Sequence, residues 1–389
     1  MYIGIDMKYF VFGVLCMVVT AGYTQPLRDI NFNYLYDQNQ PVTLSLKVVR
    51  TVDGFVAHYA LQWRDTSRYT LQWELRSTLG EKEGMPVGTG QVTAQQGEGS
   101  LSGTVTLPIG SGPVLVAKAV NESVKKAWLF TKILESNYPV NAYIRAGSAD
   151  LLQPYVGISQ PVTYEGQSGP TVVAYYNDDF PTAAPAFSVT QARVSRGMQH
   201  DSVFMITPGQ ALSLSKKGLY LFQQDTASAE AVAFRVEDDY PRLGRIESLA
   251  GPLVYVCTKQ EFDKIKAARG EKKAFDRVIL NITGDADRAR TFMRSYFRRV
   301  ELANQFFTSY KEGWKTDRGM IYIIFGLPDE VQKTADREVW TYKNADFRVV
   351  FAFAKSGTIF DPDNFVLIRD KKYQDTWYSV IDLWRNARF

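Results

Sequence analysis

Cysteine and histidine are scarce in this chain. Its 389 residues include two cysteines, Cys16 and Cys257, and two histidines, His58 and His200. If the N-terminal apolar stretch is removed on export, Cys257 is left alone and no intrachain disulfide can form. Cys257 lies beside the apolar run 253–256, a context that favours a buried structural thiol over a reactive one.

The usual sequence motifs of catalytic and metal sites are missing as well. No CxxC, HExxH or clustered His/Asp pattern occurs, so we predict no transition-metal site. There is no P-loop or GxGxxG stretch for a nucleotide. His200, Asp201 and Ser202 are the residue types of a catalytic triad, but adjacent residues cannot reach triad geometry with one another. We therefore predict no cofactor, no catalytic residue and no enzyme activity.

An excess of charge of one sign is lacking too. The formal net charge is +4, and charged residues make up 22% of the chain. No Lys/Arg-rich run stands within a nucleic-acid-binding signature, so nucleic acid is not an expected partner. Hydrophobic residues, at 45%, are as frequent as in ordinary globular proteins. The length of the chain predicts two or three domains.

Only the N-terminus carries a long apolar run. Lys8 precedes an apolar stretch at residues 9–20, and small residues follow it, as in a secretory signal peptide. The stretch is shorter than the ~20 residues that a bilayer requires. We therefore predict a signal peptide at residues 1–24 and a periplasmic mature chain without a transmembrane segment. A lipid anchor at Cys16 is a weaker alternative, because Leu15 before it is bulky.

Short alternating segments predict an all-β, sandwich-like domain at residues 25–149. Residues 42–49 and 55–63 alternate between apolar and polar side chains, and the turn signal Asp53-Gly54 separates them. Further strands at similar spacing, joined by glycine-rich turns, indicate a β-sandwich. A second, smaller β-sandwich is predicted at residues 150–244, where frequent prolines suit strand edges and loops.

Residues 245–389 predict an α+β domain in which helices precede a small antiparallel sheet. Thr258 and Glu261 form a capping-box pattern. Asp285 precedes a long amphipathic helix at about 286–310, whose apolar residues form one continuous stripe. The predicted strands are 321–325, 338–342, 347–354 and 365–368, and a last helix capped by Asp375 is predicted at 376–386.

Three arginines recur every four residues along the predicted long helix. Arg290, Arg294 and Arg298 would form a basic stripe for an acidic partner or for anionic headgroups. The alternative is a solvated helix face, partly balanced by Asp287 and Glu301 at helical spacing. The solvated face is the favoured interpretation, because charge clusters on amphipathic helices usually face water.

The segment 313–331 is the densest in residues that need special backbone geometry. It reads GWKTDRGMIYIIFGLPDEV, and its glycines and proline are typical of turns. The favoured interpretation is a structural joint between the long helix and the sheet, with Trp314 as a core anchor. The alternative is a site at which Asp317, Asp329 and Glu330 converge for acid–base chemistry.

Residues of this segment and of the strand that follows it also carry a family resemblance. They are Gly313, Trp314, Thr316, Asp317, Arg318, Gly319, Gly326, Pro328, Asp329, Glu330 and Trp340. Together they resemble the GWxTD domain, which is named after its Gly-Trp-x-Thr-Asp run, over about the last third of the chain. The resemblance implies an extracytoplasmic protein of Bacteroidota or related bacteria, in which this domain often follows β-rich domains. The activity of the family is poorly defined, so the resemblance implies a compartment and no mechanism.

Three functional hypotheses follow, in decreasing order of preference. The first is a non-catalytic periplasmic scaffold or accessory subunit of an outer-membrane-associated protein assembly, acting through protein–protein interfaces with other envelope proteins. The second is a carbohydrate- or peptidoglycan-binding module, in which Trp63 and Trp73 form an aromatic platform, although tryptophans on alternating strand positions are more often core. The third is a carboxylate-based hydrolase at the segment 313–331.

Overall fold

A computed structural model gives the arrangement of most of the chain. It describes residues 25–110, 112–136, 138–177, 180–189, 198–343, 345 and 347–389. The predicted signal peptide at residues 1–24 lies outside these ranges. Within them the chain forms five small sheets and a C-terminal group of helices. None of the helices in the described ranges is both long and apolar enough to span a bilayer.

The first β region consists of two four-stranded antiparallel sheets, ordered β1-β2-β6-β5 and β4-β3-β7-β8. Side chains of both sheets, including Tyr59, Trp73 and Ala117, share one buried cluster, so the sheets pack face to face. The strands are β1 (Val42–Thr51), β2 (Gly54–Trp63), β3 (Tyr69–Arg76), β4 (Met85–Pro86), β5 (Gln95–Gly97), β6 (Ser100–Pro108), β7 (Val114–Asn121) and β8 (Lys126–Ile133).

The second β region has sheets ordered β10-β9-β12-β15 and β11-β17-β16-β13-β14, in which β11 pairs with β17 in parallel. Tyr164, Phe222 and Phe234 stack within its buried cluster. The strands are β9 (Tyr143–Ala146), β10 (Ala149–Asp150), β11 (Tyr155–Gly157), β12 (Pro161–Glu165), β13 (Thr171–Tyr176), β14 (Ser202–Ile206), β15 (Ala211–Ser213), β16 (Gly218–Gln223) and β17 (Val232–Glu237).

The C-terminal region combines six helices with one antiparallel sheet, ordered β18-β19-β20-β21, among the described residues. The helices are α1 (Ile246–Ala250), α2 (Lys259–Ala267), α3 (Lys272–Thr283), α4 (Ala286–Phe307), α5 (Asp317–Phe325) and α6 (Gln374–Arg385). The strands are β18 (Glu330–Lys333), β19 (Arg337–Lys343), β20 (Arg348–Lys355) and β21 (Phe365–Leu367). The overall prediction of β-rich parts followed by an α+β part is therefore confirmed.

Two helices, α2 and α4, begin at the capping residues that the sequence predicts. Thr258 accepts a hydrogen bond from Glu261 N, and Glu261 accepts one from Thr258 N, which completes the capping box of α2. Asp285 caps α4 by accepting from the backbone N–H groups of Asp287 and Arg288. The apolar face of α6, with Trp377 and Trp384, is buried as predicted.

Three local predictions for the C-terminal region are wrong. Residues 321–325, predicted as a strand, form the end of α5. The long helix ends at Phe307 and not near 310, and a short 3-10 turn at Gly313–Lys315 follows it. The last helix begins at Gln374, so Asp375 lies in its first turn and is not its cap.

The first described residues pack against the C-terminal region. We call residues 27–36 the N-terminal segment. Leu27, Phe32 and Tyr36 are buried in the same cluster as α4, α5 and the C-terminal sheet. Phe32 N donates a hydrogen bond to Val331 O over 2.8 Å. The two ends of the described chain are therefore joined in one core.

Candidate functional site

Backbone contact explains the two glycines that flank the Trp-x-Thr-Asp run. A Cβ atom on Gly313 would lie 2.1 Å from Ala303 O on α4, and one on Gly319 would lie 1.9 Å from Gly313 O. Real Cβ atoms do not approach so closely, so neither position accommodates a side chain without displacing backbone. These glycines allow α4, the 3-10 turn and α5 to pack backbone against backbone.

Trp314 is buried, and its indole N–H, its backbone N–H and its carbonyl each have a hydrogen-bond partner. Its side chain is 6% exposed, and its indole Nε1 donates to Glu312 Oε2 over 3.1 Å. Its backbone N donates to Asn304 Oδ1 over 3.0 Å, and its carbonyl accepts from Tyr255 OH over 2.9 Å. The tryptophan therefore connects the 3-10 turn to α4 and to the segment after α1, as a core anchor does.

Glu312 carries the charge beside this tryptophan. Lys217 Nζ lies 2.9 Å from Glu312 Oε1, and Lys315 Nζ lies 2.9 Å from Glu312 Oε2. Lys217 directly precedes β16 and also lies 3.2 Å from Glu237 on β17. The motif is thus tied to the second β region by a cluster of ion pairs in which both glutamates are buried and Lys217 is partly exposed.

Thr316 and Asp317 hold the start of α5. Thr316 Oγ1 caps the helix by accepting from Gly319 N over 3.0 Å, and it donates to Gly313 O over 2.7 Å. Asp317 is bidentate with Arg369, with oxygen–nitrogen distances of 2.5 and 3.2 Å, and it accepts from Leu367 N over 2.7 Å. Both polar side chains of the motif are therefore used in capping and ion pairing.

Arg318, Glu338 and Tyr36 form a buried network beneath the N-terminal segment. Glu338 is 0% exposed; its oxygens accept from Tyr36 OH over 2.5 Å and from Trp340 Nε1 over 2.7 Å, and Arg318 Nη1 lies 3.3 Å away. Burial opposes ionisation of Glu338, but the charges of Arg318 and Lys333 and the two donors outweigh it and hold its pKa below the ordinary value. Arg318 therefore offsets the charge of the buried Glu338 carboxylate.

The turn after α5 is held by a different set of contacts. Gly326 has a φ of 85°, a value that favours glycine, and its carbonyl accepts from Tyr342 OH over 2.9 Å. Pro328 is buried. Asp329 Oδ2 accepts from Lys343 N over 2.6 Å, and Glu330 Oε1 lies 2.7 Å from Lys343 Nζ. Asp317 is paired with Arg369 instead, whereas Asp329 and Glu330 both contact Lys343, so the three carboxylates do not share one set of contacts.

The basic stripe on α4 keeps its charges at the surface. Arg290 Nη1 lies 2.8 Å from Asp287 Oδ1, and Arg298 Nη1 lies 2.9 Å from Glu301 Oε2, at helical spacing. Arg294 is exposed between them. These pairs fit the predicted solvated face, and partner binding by the stripe stays a prediction.

The two tryptophans of the predicted aromatic platform lie in different environments. Trp73 is buried between the sheets of the first β region. Trp63 is half-buried, packs on Tyr69 with ring centroids 5.6 Å apart, and borders a surface groove. The pair therefore does not form one exposed platform, and only Trp63 reaches a surface that a ligand could contact.

The sequence did not reveal which distant residues contact the motif. Arg369 and the N-terminal segment are distant in sequence, and no local pattern links them to residues 313–319. Glu338 could have been found, because it alternates with Trp340 and Tyr342 on one face of β19 and so belongs to the buried side. Among the described residues, no group of three or more His, Cys, Asp or Glu side chains has the geometry to hold a metal ion.

Comparison with known proteins identifies the part of the chain that contains this joint. Residues 218–386 match the family model of the GWxTD domain. No curated protein matches the chain. The match begins at β16 and includes all the motif residues from Gly313 to Trp340. The chain therefore contains a GWxTD domain at residues 218–386.

Proposed function

We propose that this protein is a non-catalytic scaffold or accessory subunit of an outer-membrane-associated assembly, exported to the periplasm, and that it acts through protein–protein interfaces. In this proposal the two β regions are β-sandwich domains that present surfaces, and the GWxTD domain holds them together. The buried, fully engaged motif supports a structural role for that domain, since its carboxylates and tryptophan are occupied by contacts within the chain.

The observation that carries the proposal is the edge strand β14. Among the residues that the structure describes, it ends the order β11-β17-β16-β13-β14. Three consecutive apolar side chains on it are exposed: Val203 by 47%, Phe204 by 36% and Met205 by 63%. Successive strand residues point to opposite faces, so this edge is apolar on both sides. Soluble proteins usually protect such an edge with charge or with a covering element, because an unprotected edge pairs readily with another strand.

The partner that best fits this edge is an extended segment of another envelope protein. Strand addition to a sheet edge supplies main-chain hydrogen bonds, and the alternate side chains determine specificity. Val203 and Met205 lie opposite Ala174 and Val172 of β13, so they extend one face of the sheet outward. A partner strand with apolar residues at every second position would cover this face.

Contacts between the three parts support a scaffold that keeps its surfaces in fixed relative positions. Arg50 pairs with Glu230, and His58 Nδ1 lies 2.7 Å from Asp150 Oδ2, between the two β regions. Lys355 Nζ lies 2.5 Å from Glu135 Oε1, between the first β region and the C-terminal region. Such ion pairs between the parts of the chain suit a subunit that positions other proteins.

The double substitution Val203→Lys/Met205→Lys is expected to remove partner binding while the fold is retained. Both side chains are already exposed, so the charges cost little folding free energy, but they oppose strand addition at the edge. The measurement is quantitative pull-down of chemically cross-linked complexes from gently solubilised envelopes, with the partners identified by mass spectrometry.

The matched control for that experiment is Met85→Lys/Val124→Lys, which adds the same charge at positions that are 64% and 68% exposed in the first β region. We expect the control to recover the same partners as the unmodified protein. The β14 variant is expected to recover about tenfold less of each partner, which corresponds to a loss of ~1.4 kcal/mol in binding free energy. Equal recovery by both variants would refute a role for β14. Recovery of the unmodified protein only as a free monomer, at every salt concentration, would refute the scaffold.

A second candidate function, carbohydrate or peptidoglycan binding, is supported by two neighbouring grooves on the first β region. One, of about 600 Å³, is lined by hydroxyl and amide side chains that include Gln95, Gln96 and Ser102. The other, of about 310 Å³, contains Trp63. Ser100 borders both. Their sizes fall in the range of roughly 300–1,000 Å³ that is usual for small-molecule sites, and polar amides beside an aromatic ring suit a sugar chain.

Titration with peptidoglycan fragments and other oligosaccharides, followed by tryptophan fluorescence, tests this candidate. Trp63→Ala is expected to abolish the fluorescence change and to weaken binding, because Trp63 lines the smaller of the two grooves. Trp73→Phe is the control, since Trp73 is buried and its replacement leaves the groove surface unchanged. Unchanged affinity in the Trp63→Ala variant would exclude the groove as the binding site.

A further inference from the structure

A cavity of about 180 Å³ lies where the three parts of the chain meet. The first β region contributes β1, and the second contributes the segment before β11 and the start of β17. The C-terminal region contributes the end of α4 and the loop before β21. The lining residues are Leu46, Lys47, Val48, Lys132, Tyr138, Pro139, Leu152, Gln153, Pro154, Leu219, Ala231, Val232, Ala233, Thr308, Ser309, Phe360, Asp361, Pro362 and Asp363.

The walls of this cavity divide into an apolar part and a charged part. Leu219, Phe360 and the ring of Tyr138 belong to the apolar part. In the charged part, Lys132 pairs with Asp363, which also lies 3.1 Å from Lys355 Nζ. Asp361 accepts a hydrogen bond from Ser309 Oγ. Lys132 and Asp363 are therefore paired with each other, and Asp361 is bonded to the Ser309 hydroxyl and to Asp363 N.

Lys47 is the exception in this wall. Among the described residues, no carboxylate pairs with its ammonium group and no acceptor bonds to it. Burial, followed by the nearby charge of Lys132, lowers the pKa of Lys47 to about 8. His58, opposite Lys47 in the β1–β2 register, is bonded to Asp150 and not to Lys47. Lys47 is partly buried, and an ammonium group without an anion is unfavourable at such a position, so a bound anion would gain a strong interaction here.

We propose that this cavity binds a small organic monocarboxylate, whose carboxylate pairs with Lys47 Nζ and whose hydrocarbon part packs against Leu219, Phe360 and Tyr138. One unpaired ammonium group matches one negative charge. Asp361 and Asp363 also face the cavity, and they would repel a dianion such as phosphate. The cavity is smaller than the roughly 300 Å³ at which drug-sized sites begin, so the ligand has only a few carbon atoms.

Butyrate is the probe for this site, and butyramide is its neutral isostere. Binding of each to the full-length mature protein is measured by ligand-observed NMR and by calorimetry near pH 7, where Lys47 is mostly protonated. We expect butyrate to bind and butyramide to bind at least about tenfold more weakly, because only the anion pairs with the ammonium group. Inorganic phosphate is expected to bind more weakly than butyrate.

Two lysine variants locate the site. Lys47→Met keeps the length of the side chain and removes the charge, and it is expected to lose butyrate binding. Lys125→Met, at a lysine that is 73% exposed in the same β region, is expected to keep it. Should Lys47→Met fail to fold, Lys47→Gln provides a polar uncharged replacement for the same measurement, with circular dichroism as the check on folding.

The pH dependence supplies a further readout that general surface binding would not share. Butyrate affinity is expected to fall as the pH rises above about 8, because Lys47 then loses its proton. Equal binding of butyrate and butyramide, unchanged binding in the folded Lys47→Met or Lys47→Gln variant, or no butyrate binding at tens of millimolar would each overturn the proposal.

Discussion

Replacement of Trp314 by alanine is expected to lower the free energy of unfolding by about 3–5 kcal/mol, the usual cost of removing a large aromatic side chain from a core. The indole ring fills the space beside Gly251, where an added Cβ would lie 2.9 Å from the ring. The surrounding backbone is fixed by hydrogen bonds to Asn304 and Tyr255. The site therefore cannot collapse easily around the cavity that alanine would leave.

Denaturant unfolding of the protein, followed by circular dichroism, measures this loss. Trp314→Phe is the matched variant: it keeps an aromatic ring and removes the hydrogen bond from Nε1 to Glu312, so a smaller loss of about 1–3 kcal/mol is expected. Tyr378→Ala, at a tyrosine that is 52% exposed, controls for loss of an aromatic residue as such. A loss below ~1 kcal/mol in Trp314→Ala would contradict the role of Trp314 as core anchor.

The helix α5 shows why a local pattern was misleading. The residues Ile321–Phe325 are β-branched or aromatic, and such residues favour strands in isolation. In the structure they are buried on every side, as in a helix that runs through a core. Thr316 provides the N-cap that selects the helix. A short apolar run alone does not distinguish a buried strand from a buried helix, so here tertiary packing decided the structure.

Two predictions of helix caps from local sequence are confirmed, the one at Asp375 is wrong, and contacts with distant partners could not be predicted. The capping box at Thr258 and the Asp285 cap depend on neighbours within three residues, and both were predicted. A structural joint at residues 313–331 was also predicted. Its ion pair to Arg369 and its contact with the N-terminal segment join residues far apart in sequence. Side-chain periodicity carries no information about such pairings.

Four residues of the motif each contact a different part of the fold, which fits the predicted structural joint. Gly313 contacts α4, Trp314 contacts the segment after α1, and Asp317 contacts the residues at and after β21. Arg318 faces β19 and the N-terminal segment. The polar residues of this motif resemble those of a catalytic site, but here their contacts connect one short segment to several helices and strands.

Replacement of Arg318 by methionine is expected to lower the free energy of unfolding by about 3–5 kcal/mol, because it leaves Glu338 buried without its closest cation. Arg318 also packs over Phe365, with its guanidinium carbon 4.6 Å from the ring centroid, and methionine retains much of that packing. Lys333 offsets part of the charge of Glu338, which places the expected loss towards the lower end of this range. Denaturant unfolding at pH 7 measures it.

The double variant Arg318→Met/Glu338→Gln separates charge from packing. Glutamine keeps an oxygen that accepts from Tyr36 and Trp340, but it carries no charge, so the double variant is expected to be more stable than Arg318→Met alone. A double variant no more stable than the single one would mean that the loss comes from packing and not from the buried carboxylate.

The pH dependence of unfolding gives an independent check on the same network. In the unmodified protein the pKa of Glu338 is held low, so its ion pair stabilises the fold above the pKa of the unfolded chain, and this contribution is lost as the pH falls through the folded pKa. In Arg318→Met the folded pKa rises, and the folded state takes up the proton more readily. The deficit of Arg318→Met is therefore expected to shrink as the pH falls. The Arg318→Met/Glu338→Gln variant has no carboxylate at this position. Its advantage over Arg318→Met in free energy of unfolding should therefore decline as the pH falls over the same interval. A constant difference between the two variants would show that Glu338 stays ionised without Arg318.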